Sequence, residues 1–459
     1  LGGYNFFDEK FEKDIDEPRF VNQGEVTNET LGNTQAQILE INSKTGLYPL
    51  YVTYSIFRSK CPDIKNTPVE EQRKIWNETV QNNIYVICKT PMAKSITKRT
   101  LVGFNDVKIN AHYFEDLINT IQHKPKQFVE RIKKPNYWNK KDKEEMRFDA
   151  VVGNPPYQME DNGNGNSAKP LYHLFIDVAE QIEPRYVSMI SPSRWFAGGK
   201  GLDEFRQKML NDRRLQKMFD YTNAKDCFPN ISISGGVSYI LWNNNYDGDC
   251  EFTSIHDGVK NCSKRNLSEF SIFIRYNQAL SVIEKVKKYS ENSLIDSLTS
   301  RNPFGISTFE RGNENKVARN IVLYSSNGKG FIDRSKVTAN KDLINQYKVM
   351  ISRLSAEHAG EANTKGQFKV LSTTQLLKPN EVCTDSYIIL KDLNSETLAN
   401  NAINYLKTKF ARFLLLQALS SINLSKERFC FVPMQNFNED WSDKKLYKKY
   451  GLSEEEIAY

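Results

Sequence analysis

The residues most plainly equipped for chemistry are Asn154, Pro155, Pro156 and Tyr157, which follow directly on the apolar run Phe148-Asp149-Ala150-Val151-Val152-Gly153. Two consecutive prolines fix φ and remove two N–H donors, leaving a rigid turn that presents carbonyl oxygens. A planar exocyclic amino group, such as the N6 of adenine, has two hydrogens to donate. The Asn154 side-chain oxygen and the Pro155 carbonyl accept both, which steers the nitrogen lone pair toward an electrophilic carbon. The Tyr157 ring stacks on the flat face of the same group. For this to work the turn must sit at the carboxyl end of a strand in an open sheet, where such sheets bind ligands.

The elements around the turn meet that requirement. Strand signals at residues 36–42, 84–88, 107–110, 148–152 and 186–190 alternate with helical stretches ending near Lys60, over 91–101, from about Phe114 and over 172–182. This alternation predicts a parallel sheet with helices on both faces. Between the third and fourth strands, residues 123–143 are basic, with Tyr137 and Trp138 interleaved. That segment reads either as a solvated loop or as a contact to a DNA backbone. After about Lys264 the alternation fades. One amphipathic helix is expected over 271–289, then short strands and turns, then a helix over 398–419.

Composition sets outer limits. The 459 residues predict more than one domain, and 39% hydrophobic with 12% aromatic content supports packed cores. A net charge of +7 permits a polyanionic partner without requiring one. The seven cysteines include no CxxC pair, as expected for reduced thiols in the cytoplasm. Cys250, His256 and Cys262 match no common zinc spacing, so no metal is expected. No apolar run is long enough to span a bilayer. The chain starts at Leu1 without Met and stops inside a helix capped by Ser453; it reads as a piece of a longer protein.

Asn-Pro-Pro-Tyr behind an apolar strand resembles the catalytic motif of the amino-group DNA methyltransferases, and Asn in first place with Tyr last resembles the N6-adenine members. The resemblance runs over residues 15–245 in the gamma motif order and points to a restriction-modification methylase of Type II. It implies a Rossmann-like α/β methyltransferase domain with a mostly parallel seven-stranded sheet over 1–264. A linker helix over 265–291 and an α+β target-recognition domain over 292–459 follow. It implies S-adenosylmethionine as cofactor, duplex DNA as partner, and a target adenine flipped out of the helix. Cofactor contacts are then expected from Phe20, Glu40, Asn42, Gly46, Cys88, Thr90, His112 and Asn154. Stacking on the base is expected from Tyr157 and Phe228, and DNA contacts from Arg353, Lys365 and Lys369.

The chain departs from the family pattern in places. Lys44 stands where a glycine is usual, and neither the Cys88-Lys89-Thr90 turn nor the segment around His112 carries the family's acid. The loop 160–167, rich in Gly and Asn, reads as a flap. No P-loop and no nuclease carboxylate cluster is evident, so nuclease or helicase domains would belong to a longer parent chain. Two rival readings stay open: a protein glutamine methyltransferase, and a DNA-binding module with a degenerate cofactor pocket.

Overall fold

The computed structural model describes residues 26–459 apart from 142–143, 160–168, 198–200, 229–232, 234, 257, 271, 318, 357–366 and 420–421, together with the backbone of 3–4 and 20–22. The chain forms two compact units. The first comprises 1–220, 237–253 and 263–267; the second comprises 221–236, 254–262 and 268–459.

A nine-stranded sheet, whose first seven strands fall almost wholly in the first unit, is built from β1 (Ile38–Ser43), β2 (Ile84–Cys88), β3 (Asn110–Tyr113), β4 (Ala150–Gly153), β5 (Tyr186–Pro192), β6 (Leu215–Tyr221), β7 (Val237–Asn243), β8 (Cys250–His256) and β9 (Val259–Arg265). Their order is β9-β8-β6-β7-β5-β4-β1-β2-β3. The seven expected strands are joined by two more, β8 and β9. β1 pairs in parallel with β2 and β4, β2 with β3, and β4 with β5, whereas β7 runs antiparallel to β5. The carboxyl ends of β1 to β5 therefore share one edge. β1, β2 and β4 are buried at every position, as central parallel strands covered on both faces must be.

Helices α1 (Leu47–Lys60), α2 (Val69–Asn83) and α3 (Pro91–Val102) link the first three strands, and α6 (Tyr172–Gln181) links β4 to β5. Asp149 sets where β4 begins. Its carboxylate accepts from the Gln37 amide at 2.8 Å, and its own amide donates to the Gln37 carbonyl at 2.9 Å.

Three expectations are corrected. The third strand lies at Asn110–Tyr113 rather than 107–110, because it registers Asn110 on Tyr85 and Tyr113 on Cys88, while Val107 and Ile109 only pack against the core from the loop before it. The long helix expected over 398–419 is two helices, α9 (Glu396–Lys407) and α10 (Lys409–Ala418). They break at Thr408, whose ψ of 152° is extended and whose hydroxyl caps the Ala411 amide. The basic segment 123–143 is not a loop: α4 (Leu117–His123), α5 (Pro125–Ile132) and a 3₁₀ turn at Pro135–Trp138 run through it. Trp138 is 1% exposed there, and its indole donates to the Ile132 carbonyl at 2.7 Å. That aromatic serves the core and offers no surface to a DNA backbone.

The second unit carries strands of its own: β10 (Asn320–Ser325), β11 (Gly328–Asp333), β12 (Tyr347–Ser352), β13 (Thr374–Leu377), β14 (Glu381–Cys383) and β15 (Tyr387–Leu393). They form two three-stranded sheets, β11-β10-β14 and β13-β12-β15. The helix expected over 271–289 is the shorter α8 (Gln278–Lys287), and Ala279, Val282, Ile283 and Val286 enter the core of this unit beside α9 and α10.

On β12, Lys348 is fully buried. Its ammonium donates to the carbonyls of Gln346 at 2.9 Å and Lys378 at 3.4 Å, and burial pushes its pKa down to about 8 from 10.5. The folded chain gives up this proton near pH 8, the unfolded chain only near 10.5. The penalty for burying the charge is thus full below pH 8 and vanishes as the pH rises past 10.5. Lys348→Met is expected to raise the melting temperature at pH 7, with the gain shrinking steadily between pH 8 and 10.5. A melting series of both proteins across that range checks it; a gain independent of pH contradicts the charge argument.

Candidate active site at the sheet edge

The site begins where β1 ends. Asn42 has φ 75°, in the left-handed region that Asn tolerates better than most residues, and Gly46, at φ 76°, leads into α1. A Cβ on Gly46 would lie 2.9 Å from the Thr97 Cα of α3. The Thr100 hydroxyl donates to the Thr45 carbonyl at 2.7 Å. The turn is thereby clamped by α3 and needs glycine at its last position.

Asn42 also ties this turn to the end of β4, the neighbouring strand in the sheet: its side-chain amide donates to the Asn154 carbonyl at 3.4 Å. Immediately before Asn154, Gly153 lets β4 approach β1, since a Cβ there would lie 3.0 Å from the Ile41 carbonyl oxygen. Asn154, Pro156 and Tyr157 are half-buried and Pro155 is buried. The Tyr157 carbonyl accepts from the Leu171 amide at 3.2 Å, and Gln158 bridges to Pro170, so the chain leaves the turn and returns at the same place. The proposed flap at 160–167 lies outside the described residues.

Three polar atoms at the end of β1 are buried without a hydrogen-bond partner: Glu40 Oε2, Asn42 Oδ1 and Ser43 Oγ. Such groups are rare in folded interiors, and they are the donor and acceptor set that a polar ligand at this edge would satisfy. Burial pushes the Glu40 carboxyl up to about 8, with Ser43 pulling the other way.

At the end of β2, Cys88 is buried; its thiol donates to the Thr97 hydroxyl at 3.7 Å, and burial pushes its pKa up to about 11. Thr90 is exposed and caps α3 by accepting from the Ala93 amide at 3.0 Å. On β3, the His112 ring packs on Tyr137 at 4.2 Å, tilted by 31°, and meets Trp138 edge-on at 5.2 Å. Burial, with the Lys94 and Arg131 cations, pulls its pKa down to about 4, so the ring is neutral. The structure thus brings Glu40, Asn42, Gly46, Cys88, His112 and Asn154 to one edge.

Other expected residues lie elsewhere or beyond description. The backbone of Phe20 sits in the short strand Phe20–Asn22, but its side chain is outside the described residues. Phe228 belongs to the second unit, is half-buried, and donates its amide to the Ala224 carbonyl at 2.7 Å. Also in that unit, Arg353 bonds both the backbone carbonyl and the carboxylate of Asp385, at 2.7 and 3.0 Å. Lys369 is exposed, and Lys365 lies outside the described residues. Sequence reasoning missed a buried pair, Ser193 and Asp220, and missed Tyr137 as the cover of His112. An Asp near the end of the apolar strand Leu215–Tyr221 was the available signal for the first.

Residues 82–228 match the model of the Eco57I restriction-modification methylase family. An uncharacterized adenine-specific methylase of Mycoplasma pneumoniae is 30% identical over 173 residues, which is 35% of this chain and 41% of that protein. The chain therefore spans less than half the length of that relative. The solved structure of the Type IIL restriction-modification enzyme MmeI in complex with DNA is similar in fold, with a TM-score of 0.50 at 9% identity, covering 88% of this chain and 64% of that one. The matched residues 82–228 hold β2, β3, β4 and the Asn-Pro-Pro-Tyr turn, so over this stretch the chain is similar to the Eco57I restriction-modification methylase family.

Proposed function

We propose that the chain transfers a methyl group from S-adenosylmethionine to the N6 of adenine in duplex DNA, as the modification part of a restriction-modification protein. The observation that carries this reading is the Asn154–Tyr157 turn, held at the carboxyl end of a buried parallel strand and hydrogen-bonded to the ligand-ready end of β1.

The residues present fit the cofactor. Glu40, Asn42 and Ser43 offer buried polar atoms without partners, and Gly46 lets backbone come close. Cys88 and His112 line the adjoining strand ends. When bound, the cofactor supplies an electrophilic methyl group on a sulfonium leaving group. The chain's own residues position the nucleophile. Asn154 and the Pro155 carbonyl accept the two N6 hydrogens, and Tyr157 stacks on the flipped base. No covalent enzyme intermediate is needed, so positioning and charge stabilisation are the whole task. In the same reading the second unit recognises the target, and Arg353, Lys365 and Lys369 contact DNA. Further nuclease or helicase domains belong to a longer parent protein. Among the described residues no helix is long and apolar enough to cross a membrane, and the proposed site of action is the cytoplasm.

One observation favours a second reading. Cys88 and His112 supply no carboxylate at the ends of β2 and β3, which suits a DNA-binding module that has lost the cofactor. Retained DNA binding without any cofactor binding would select it.

Two measurements test the main reading. Asn154→Ala is expected to lower methyl transfer to unmethylated duplex DNA at least about a hundredfold without unfolding the chain. Mass spectrometry of the digested nucleosides should find N6-methyladenine with the wild type alone; near-normal yield from the variant would sink the assignment. The second concerns Glu40, whose carboxyl stays protonated in the folded chain up to about pH 8 but ionises from 4.5 when unfolded. Its contribution to stability is full below pH 4.5 and lost as the pH rises through 8. Without cofactor, Glu40→Gln should therefore gain stability relative to the wild type between pH 5 and 8, by at most a few kcal/mol, as read by denaturant unfolding. Parallel pH profiles would show that Glu40 is not held neutral.

A further inference from the structure

The strand order divides the carboxyl edge of the sheet at β4. β1, β2 and β3 lie on one side; β5, β7 and β6 lie on the other. Of the residues assigned above to the cofactor, Glu40, Asn42, Gly46, Cys88, Thr90 and His112 are on the first side. The second side has a buried polar group of its own that the mechanism does not use. The Ser193 hydroxyl donates to the Asp220 carboxylate at 2.7 Å, and the two residues are 2% and 0% exposed.

Their place in the fold is specific. Gly153, the last residue of β4, pairs with Met189, but β5 runs on to Pro192. Ile190, Ser191 and Pro192 therefore flank the Asn154–Tyr157 turn, and Ser193 follows at once. Across this extension Ser191 pairs with Ser238 of β7, whose hydroxyl is fully buried and without a partner. Asp220 reaches Ser193 from the penultimate position of β6. A carboxylate taken wholly out of water is costly unless its hydrogen bonds are made, and an apolar side chain would fill the space more stably. What the polar pair adds is direction: a hydrogen bond from β6 sets where the chain goes as it leaves β5.

We propose that Asp220 is a positioning residue, which through Ser193 fixes the wall beside Asn154 against which the target adenine is seated. The inference rests on the methyl-transfer reading and assigns the β5–β7–β6 half of the edge to the target base. A misplaced wall leaves the cofactor half untouched but lets the amino nitrogen drift out of line with the methyl carbon.

The test uses the full chain and two variants, Ser193→Ala and Asp220→Asn. Three quantities are read: kcat and KM for methylation of unmethylated mixed-sequence duplex DNA, the dissociation constant of S-adenosylhomocysteine by calorimetry, and the melting temperature. Ser193→Ala is expected to lower kcat at least about tenfold while KM and S-adenosylhomocysteine affinity stay as in the wild type. Asp220→Asn, whose amide oxygen still accepts from Ser193, should keep most of kcat. An unchanged kcat in Ser193→Ala overturns the proposal. So does a kcat that falls only in step with S-adenosylhomocysteine affinity and melting temperature, since that marks a general structural role. A wild-type chain that neither binds S-adenosylhomocysteine nor methylates DNA overturns the underlying reading, and this inference with it.

Discussion

The Ile41 carbonyl lies where a side chain on Gly153 would begin, and one residue further on the Asn42 amide reaches the Asn154 carbonyl. Through this close pairing of β1 with β4, the backbone that ends in three orphaned polar atoms is held against the backbone that ends in Asn-Pro-Pro-Tyr. Methyl transfer of the kind proposed demands an in-line approach of two groups, and small errors in their separation are expensive. A glycine at 153 and a left-handed Asn at 42 let two rigid strands meet closely enough to set that separation. The rest of the first unit keeps this junction in place. α3 clamps the β1 turn through Thr97 and Thr100, and Asp149 pins the start of β4 to Gln37.

The electrostatics of the β1–β3 side of the edge follow from burial more than from charge. Glu40 is pushed toward its neutral form, Cys88 is held as a thiol and His112 as a neutral ring. A pocket of neutral groups avoids the cost of burying unpaired ions. It keeps hydrogen-bonding capacity for a ligand that is itself charged. The His112 and Tyr137 rings pack against each other at a tilt of 31° on the β3 side of this edge. On the other half of the edge the buried carboxylate of Asp220 accepts from Ser193.

The second unit is organised on different terms. Two small sheets and the helices α8, α9 and α10 share cores in which a lysine, Lys348, is buried on backbone carbonyls. Its surface cations are partly engaged within the unit, as Arg353 is with Asp385. Such internal ties hold the loops of this unit in place, and Arg353 has a structural partner whatever else it touches.

Sequence by itself determined the parallel α/β class, the first, second, fourth and fifth strands to within two residues, and the turn at Asn154. Each is a local property: a continuous apolar run reads as a buried strand, and two prolines dictate a turn wherever they occur. Only the tertiary structure decided the rest. The third strand shifted to Asn110–Tyr113 because cross-strand register with β2 outweighed the apolar run before it. Tyr137 and Trp138 turned inward because His112 and Tyr85 offered rings to pack on, which no count of flanking lysines reveals. The orphaned atoms at the end of β1 and the Ser193–Asp220 pair exist only once strands distant in the chain are neighbours. Hydrogen-bond satisfaction depends on what lies across space, and the order of residues along a chain does not record that.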